Sequence, residues 1–114
     1  MKSKLAQKIG QLLMVGFDGG TPSKEVARAI SQYHVGGVIL FSRNIKNPLQ
    51  LAKLTQSLQV LSKDGPLLMG VDQEGGRVSR LPSPFTQFPS ARVYGQLNDI
   101  PLTYSAAEAM AHEL

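Results

Sequence analysis

Cysteine is absent from this 114-residue chain. That excludes disulfides and thiolate metal sites, and it fits a reducing compartment. Tryptophan is also absent, and Tyr and Phe contribute only 3 and 4 residues. These are too few for the stacking platforms that bind single-stranded nucleic acid. Lys and Arg outnumber Asp and Glu by 12 to 8, a formal net charge of +4. No basic run exceeds the loose Lys2-Ser3-Lys4 opening, so the excess reads as solvated surface and not as a nucleic-acid footprint. Long apolar runs are missing too. The N-terminal stretch QLLMVGF stops at Asp18 with no small-residue cleavage pattern, far short of the roughly 20 residues of a spanning helix. Neither a signal peptide nor a membrane span fits. The expectation is a cytoplasmic protein with neither nucleic acid nor membrane as a partner.

Phosphate and metal signatures are lacking as well. GFDGGTPSK has glycines and a Lys near a helix start but not the P-loop spacing, and no G-x-G-x-x-G occurs. The helix start at Pro22 remains the alternative place for an anion. His34 and His112 stand far apart without ligand spacing. His34, near a helix end, reads as a dipole-stabilised surface residue. No metal and no cofactor is expected.

What is present is ordinary for one modest globular domain: 42% hydrophobic and 18% charged residues. Three nearly continuous apolar runs have strand length: residues 11–17, 37–41 and 66–71. Continuity, as opposed to alternation, suits strands buried on both faces, as in parallel sheets covered by helices. Helical patterns lie between them. Thr21-Pro22 is read as N-cap and first helical residue of one, with Val26, Ala27, Ile30 and Tyr33 on one face and Gly36-Gly37 as the stop. Asn47-Pro48 opens another, with Leu51, Leu54, Thr55, Leu58 and Leu61 as its stripe and Asp64-Gly65 as its end. A short helix is expected over 3–9. Residues 72–101, with Pro82, Pro84, Pro89 and Pro101, read as a long loop with one helical turn near Ser90, followed by a last helix from about Thr103.

The order is a helix, then strand–helix three times over, as in repeated βαβ units of one parallel sheet. Each strand is followed by a polar, glycine-bearing or basic segment: Asp18-Gly19-Gly20, Ser42-Arg43-Asn44, and Asp72 to Gly76. These segments leave the carboxyl ends of parallel strands, the edge where α/β folds hold ligands. Three polar clusters there imply a polar ligand. A three-stranded parallel sheet also leaves apolar edges open, so further chain, a partner chain or self-association is expected to cover them.

Asp72 and Glu74 are the chemical candidates, and three readings stay open: a catalytic carboxylate pair, a ligand-binding Asp72 supported by Glu74, or a structural turn. Glycosidases use two carboxylates roughly 5 to 10 Å apart. Such pairs in barrels flank the scissile bond from different strands, and Gly75-Gly76 turns the chain at once. The binding reading is therefore favoured over the catalytic one. A carboxylate accepts two hydroxyl hydrogen bonds at once, and Arg80 can join it from the same loop.

GQLLMVGFDG, VGGVILFSRNI, VDQEGGRVSRL and FTQFPSA, in this order and at this spacing, resemble the N-terminal part of family 3 glycoside hydrolases. The resemblance is to the bacterial β-N-acetylglucosaminidase (β-hexosaminidase) branch, which acts in peptidoglycan recycling, and it covers nearly all of residues 1–114. It implies an α/β fold, with this chain as the first three βα units of a TIM (β/α)8 barrel. It also implies retaining, cofactor-free hydrolysis of terminal non-reducing β-linked N-acetylglucosamine. By the same resemblance Asp72 and Arg80 bind the sugar. The family's K-H-F-P-G-H-G segment, its His-Asp acid/base loop and its Asp nucleophile lie beyond the matched region, so no residue here is expected to be catalytic. The chain alone is expected to be inactive. A stand-alone sugar-binding or regulatory module that pairs with another chain is the alternative.

Overall fold

The computed structural model of the chain describes residues 4–114. Helix α1 (Lys4–Gln11) leads into strand β1 (Met14–Val15), helix α2 (Lys24–Tyr33), strand β2 (Gly37–Leu40) and a 3-10 turn (Ser42–Asn44). Helix α3 (Pro48–Gln59), strand β3 (Leu68–Val71) and helices α4 (Ala91–Leu97) and α5 (Ile100–Glu113) follow. Ser3, the expected first residue of the leading helix, lies outside the described residues.

The three strands form one parallel sheet in the order β1-β2-β3. Met14 pairs with Gly37 at one side of the central strand, and Gly37 to Leu40 pair with Leu68 to Val71 at the other. The α/β class and the parallel sheet are as the apolar runs imply. The first strand is shorter than the expected 11–17. Gln11 is the last residue of α1, and the Leu12 and Leu13 amides donate back to Ile9 and Gly10 carbonyls at 3.1 and 2.9 Å. The helix end and the turn after it thus take the first three residues of the apolar run, and only two residues reach the β2 ladder.

Helix α3 begins as expected, with the Asn47 side chain accepting from the Gln50 amide and Pro48 in the first turn. Leu54 and Leu58 are buried, while Leu51 and Leu61 pack at the rim of the core. Helix α2 corrects the expected cap. Ser23, not Thr21, holds the extended N-cap conformation, and its Oγ accepts from the Val26 amide at 3.2 Å. Pro22 therefore precedes the cap instead of opening the helix. The last helix likewise starts at Ile100 and not Thr103, since Asp99 caps the Leu102 amide at 3.0 Å and Pro101 needs no donor in the first turn. The helical turn expected near Ser90 extends to the seven residues of α4.

One core joins the sheet to α2 and α3: Val26 and Ile30 from α2, Val38 and Leu40 from β2, Leu54 and Leu58 from α3, and Phe17, Ile45 and Leu81 from the loops. Burial of each such side chain contributes about 1.5 to 3 kcal/mol. Tyr33, placed on the buried face of α2 from its spacing, is instead more than half exposed, because the helix ends there and its ring lies under the Arg28 guanidinium, 5.3 Å away. His34 is also corrected. It caps α2 in the left-handed conformation, and its largely covered ring pairs through Nδ1 with Asp64 at 2.5 Å. Asp64 also accepts from Gln7 at 2.6 Å, so this end of the sheet ties α1, α2 and the turn before β3 together. The approach is close. A Cβ on Gly10 would lie 2.1 Å from the Tyr33 carbonyl, and one on Gly36 2.1 Å from that of Gln11.

Helices α4 and α5 contribute no buried residue. Among the described residues, no helix is long and apolar enough to cross a membrane.

Candidate functional site

The carboxyl ends of β1, β2 and β3 bring together the three polar segments. After β1 comes Asp18, whose exposed carboxylate pairs with Arg43 Nε at 2.6 Å. Exposure keeps this ion pair weak, within about 1 kcal/mol. Arg43, from the turn after β2, also donates to the Phe17 carbonyl at 3.2 Å. Its guanidinium carbon sits 4.7 Å from the centre of the Phe41 ring.

Asn44 underlies this edge. It is fully buried, and its Nδ2 donates to the carbonyls of Phe17 at 3.0 Å and Gly19 at 2.8 Å. Its Oδ1 accepts from the Phe41 amide at 2.9 Å. One side chain thereby stitches the β1 loop to the end of β2. Gln50 extends the arrangement from α3, donating to the carbonyls of Gly20 and Asn44 at 2.7 and 3.0 Å. A buried polar side chain with all of these bonds made holds loops that have no ladder of their own.

After β3 the chain leaves as Asp72-Gln73-Glu74 and turns at Gly75 and Gly76, whose φ values are +83° and +58°. The turn is closed by the Glu74 amide donating to the Val78 carbonyl at 2.8 Å. It is tight for a second reason. A Cβ on Gly75 would stand 2.3 Å from the Pro89 carbonyl, and the Gly76 amide donates to the Phe88 carbonyl at 2.8 Å. Two left-handed residues under a crossing strand of loop admit only glycine without strain.

Asp72 is exposed immediately past the end of β3. Among the described residues, it makes no ion pair with Arg80. Glu74 is exposed on the turn, its backbone and not its carboxylate carrying the closing bond. Arg80 returns to the sheet edge. Its guanidinium carbon lies 5.8 Å from the centre of the Phe41 ring, and its Nε is buried without a hydrogen-bond partner. Gln73 governs that return. Its Oε1 accepts from the amides of Arg80 at 2.8 Å and Leu81 at 3.3 Å, and its Nε2 donates to Ser79 Oγ at 3.1 Å.

Reading the chain by residue type singled out Asp72 and Arg80 but not Asn44, Gln73 or Phe41. An amide in a polar loop looks like any solvated residue until its partners are known. The only available signal was the place of Asn44 and Gln73 in the segments that follow strands.

A separate apolar cleft of about 510 Å³ lies between the sheet and α3, lined by Leu40, Ile45, Leu51, Met69, Val71 and Phe85 together with Glu113 and Leu114 of the C-terminal segment. Its walls suit hydrocarbon and not a sugar, and neither Asp72 nor Arg80 faces it. The polar edge is the candidate site.

Residues 4–114 match the glycosyl hydrolase family 3 N terminal domain. The chain is 41% identical over 102 residues to a β-hexosaminidase of Alkalilimnicola ehrlichii, which covers 90% of this chain and 28% of that protein. It is 45% identical over 87 residues to a β-hexosaminidase of Nitrosomonas eutropha, covering 76% and 25%. The chain therefore spans little more than a quarter of these relatives. Among solved structures, a family 3 β-N-acetylglucosaminidase from a Paenibacillus species superposes with a TM-score of 0.93 at 42% identity, over 98% of this chain and 22% of that one. NagZ from Neisseria gonorrhoeae superposes at 0.69 with 35% identity, over 78% and 26%.

Proposed function

The chain belongs to the glycosyl hydrolase family 3 N terminal domain family, and from that premise we propose that it supplies part of the sugar-binding site of a β-N-acetylglucosaminidase. The reaction is hydrolysis of terminal non-reducing β-linked N-acetylglucosamine, of the kind used in cytoplasmic peptidoglycan recycling. The parallel sheet is read as the opening βα units of a (β/α)8 barrel, whose ligands gather at the carboxyl edge. Residues 1–114 form the N-terminal part of that catalytic barrel.

The observation that carries this reading is the disposition of Asp72 and Arg80. Asp72 leaves β3 with its carboxylate exposed, and Arg80 comes back to the same edge with a buried, unused Nε donor. In the proposed role, Asp72 accepts two ring hydroxyls and Arg80 donates to a sugar oxygen. Charge-assisted bonds of this kind, held by groups already in place, are the strong ones. Glu74 keeps a supporting part in the turn. No nucleophile or acid/base is assigned within residues 1–114; in this proposal both come from later parts of the same barrel.

Titration of the chain with N-acetylglucosamine, followed by amide shifts around residues 72–81, tests the reading. Saturable shifts that Asp72→Ala weakens by about tenfold or more are expected, the loss of a charged acceptor being worth roughly 1.5 to 3 kcal/mol. No turnover of a chromogenic N-acetylglucosaminide by the chain alone is expected. Robust turnover abolished by Asp72→Ala would place the chemistry inside this chain and sink the proposal as stated.

A second reading, a sugar-binding or regulatory module that assembles with another chain or with itself, draws on the exposed apolar residues beside the sheet edges. Leu12 and Leu68 are 85% and 67% exposed. Sedimentation separates the two: a discrete, sugar-binding oligomer at micromolar concentration favours the module.

A further inference from the structure

Among the described residues, Arg80 has no hydrogen-bond partner for its Nε. Its backbone is fixed and its guanidinium is placed by different residues, and neither of these is Asp72. Gln73 binds the Arg80 and Leu81 amides and the Ser79 hydroxyl at 2.8, 3.3 and 3.1 Å. It therefore clamps the returning strand of the loop at three consecutive residues. Phe41, at the end of the neighbouring strand β2, lies beneath the guanidinium at 5.8 Å. Phe41 is itself pinned, its amide donating to buried Asn44, and its other cationic neighbour, Arg43, is turned toward Asp18 at 2.6 Å.

We infer that Phe41 and Gln73 are positioning residues for Arg80: the amide sets where the arginine starts, and the ring sets where its charge ends. A flexible arginine in water samples many rotamers, and holding it before the ligand arrives removes that ordering cost from binding. A ring face attracts the cation without using any of its N–H donors, so the guanidinium keeps its donors for an oxygen of the ligand. An acidic side chain in place of Phe41 would hold the guanidinium too, but it would consume those donors. The arrangement also couples the ends of β2 and β3, so the site needs both strands in register. That the ligand is a sugar rests on the function proposed above; the positioning does not.

The test uses the whole chain labelled with nitrogen-15, with the Arg80 Nε–H resonance assigned by its loss in Arg80→Lys. In the unsubstituted chain this proton is shifted upfield by the Phe41 ring and exchanges slowly with water. Phe41→Leu is expected to return it to the position of a free arginine while amides of α2 and α3 stay in place, and Phe41→Tyr is expected to restore the shift. Gln73→Leu is expected to speed its exchange, and Gln73→Glu, which keeps the acceptor for the two amides, to recover most of the protection. An Arg80 signal that ignores Phe41→Leu overturns the inference.

Titration with N-acetylglucosamine then separates the two claims. Phe41→Leu is expected to weaken binding roughly three- to tenfold, the range implied by loss of a partly desolvated cation–ring contact, with Phe41→Tyr close to the unsubstituted chain. Equal affinities for Phe41→Leu and the unsubstituted chain overturn the positioning role. A chain that binds no sugar but shows the ring shift overturns the functional reading and leaves the positioning of Arg80 standing.

Discussion

Asn44 and Gly75 show how much of the carboxyl edge depends on single residues. Asn44 satisfies the Phe17 and Gly19 carbonyls and the Phe41 amide from a fully buried position. Replacing it by Leu keeps the branched shape but removes the partner of the Gly19 carbonyl and the Phe41 amide and leaves the Phe17 carbonyl only Arg43. Each buried group left unpaired costs about 1 to 3 kcal/mol. Asn44→Leu is expected to lower stability by about 3 kcal/mol or more, read as a drop in the urea midpoint at unchanged slope. At Gly75 the constraint is conformational. A φ of +83° and a carbonyl 2.3 Å from the would-be Cβ make Gly75→Ala costly by about 2 to 4 kcal/mol, strain and clash together. The same unfolding experiment checks it, and a midpoint within error of the unsubstituted chain would refute the packing described for the turn. The Gly-Gly pair was readable as a turn in the sequence. Its closeness to Pro89 was not, because the two meet only after the loop has folded over itself.

At the scale of elements, the stripe of α3 and its Asn47-Pro48 start could be read directly, since both depend on residues within one turn of each other. Helix α2 was displaced by two residues because Thr21 and Ser23 are both plausible caps, and only the path of the loop after β1 selects between them. The choice has a titration consequence. Glu25 is held below its ordinary value of 4.5, first by a hydrogen bond from its own backbone amide and then by one with the Ser23 side chain. A carboxylate with a depressed folded value stabilises the fold above its unfolded value, and that contribution is lost as pH falls through the folded one. Ser23→Ala is expected to lower stability by about 1 kcal/mol and to move the Glu25 carboxyl titration, followed by carbon NMR, up toward its ordinary position. A Glu25 midpoint that does not respond to Ser23→Ala would assign the shift to the backbone alone.

On the scale of the molecule, order is unevenly supported. The sheet, α2 and α3 share the core, whereas α4 and α5 bury nothing and the last turn of α5 is tied to the loop by the Glu113 carboxylate, which accepts from Thr86 at 2.6 to 3.1 Å. Amide exchange is expected to divide accordingly. Protection in β2 and α3 should approach that of global unfolding, while α4 and the first half of α5 exchange at least about a hundredfold faster. Uniform protection along the chain would mean that α5 is held by contacts of a second copy.

The sequence by itself determined the class of this protein. Strand-length apolar runs, helix stripes and the polar segments between them are local patterns, set by backbone sterics and by burial of one face, and they lead to a parallel α/β sheet with a polar carboxyl edge. It also pointed to Asp72 and Arg80 as the groups to watch. Only the tertiary structure decided what holds that edge together. Phe41 beneath Arg80, Gln73 clamped on its backbone, and Asn44 stitching two loops join residues 7 to 39 positions apart or lie on different strands. Such contacts leave no periodicity to read, because an amide or a ring acquires its role from the partner the fold brings to it.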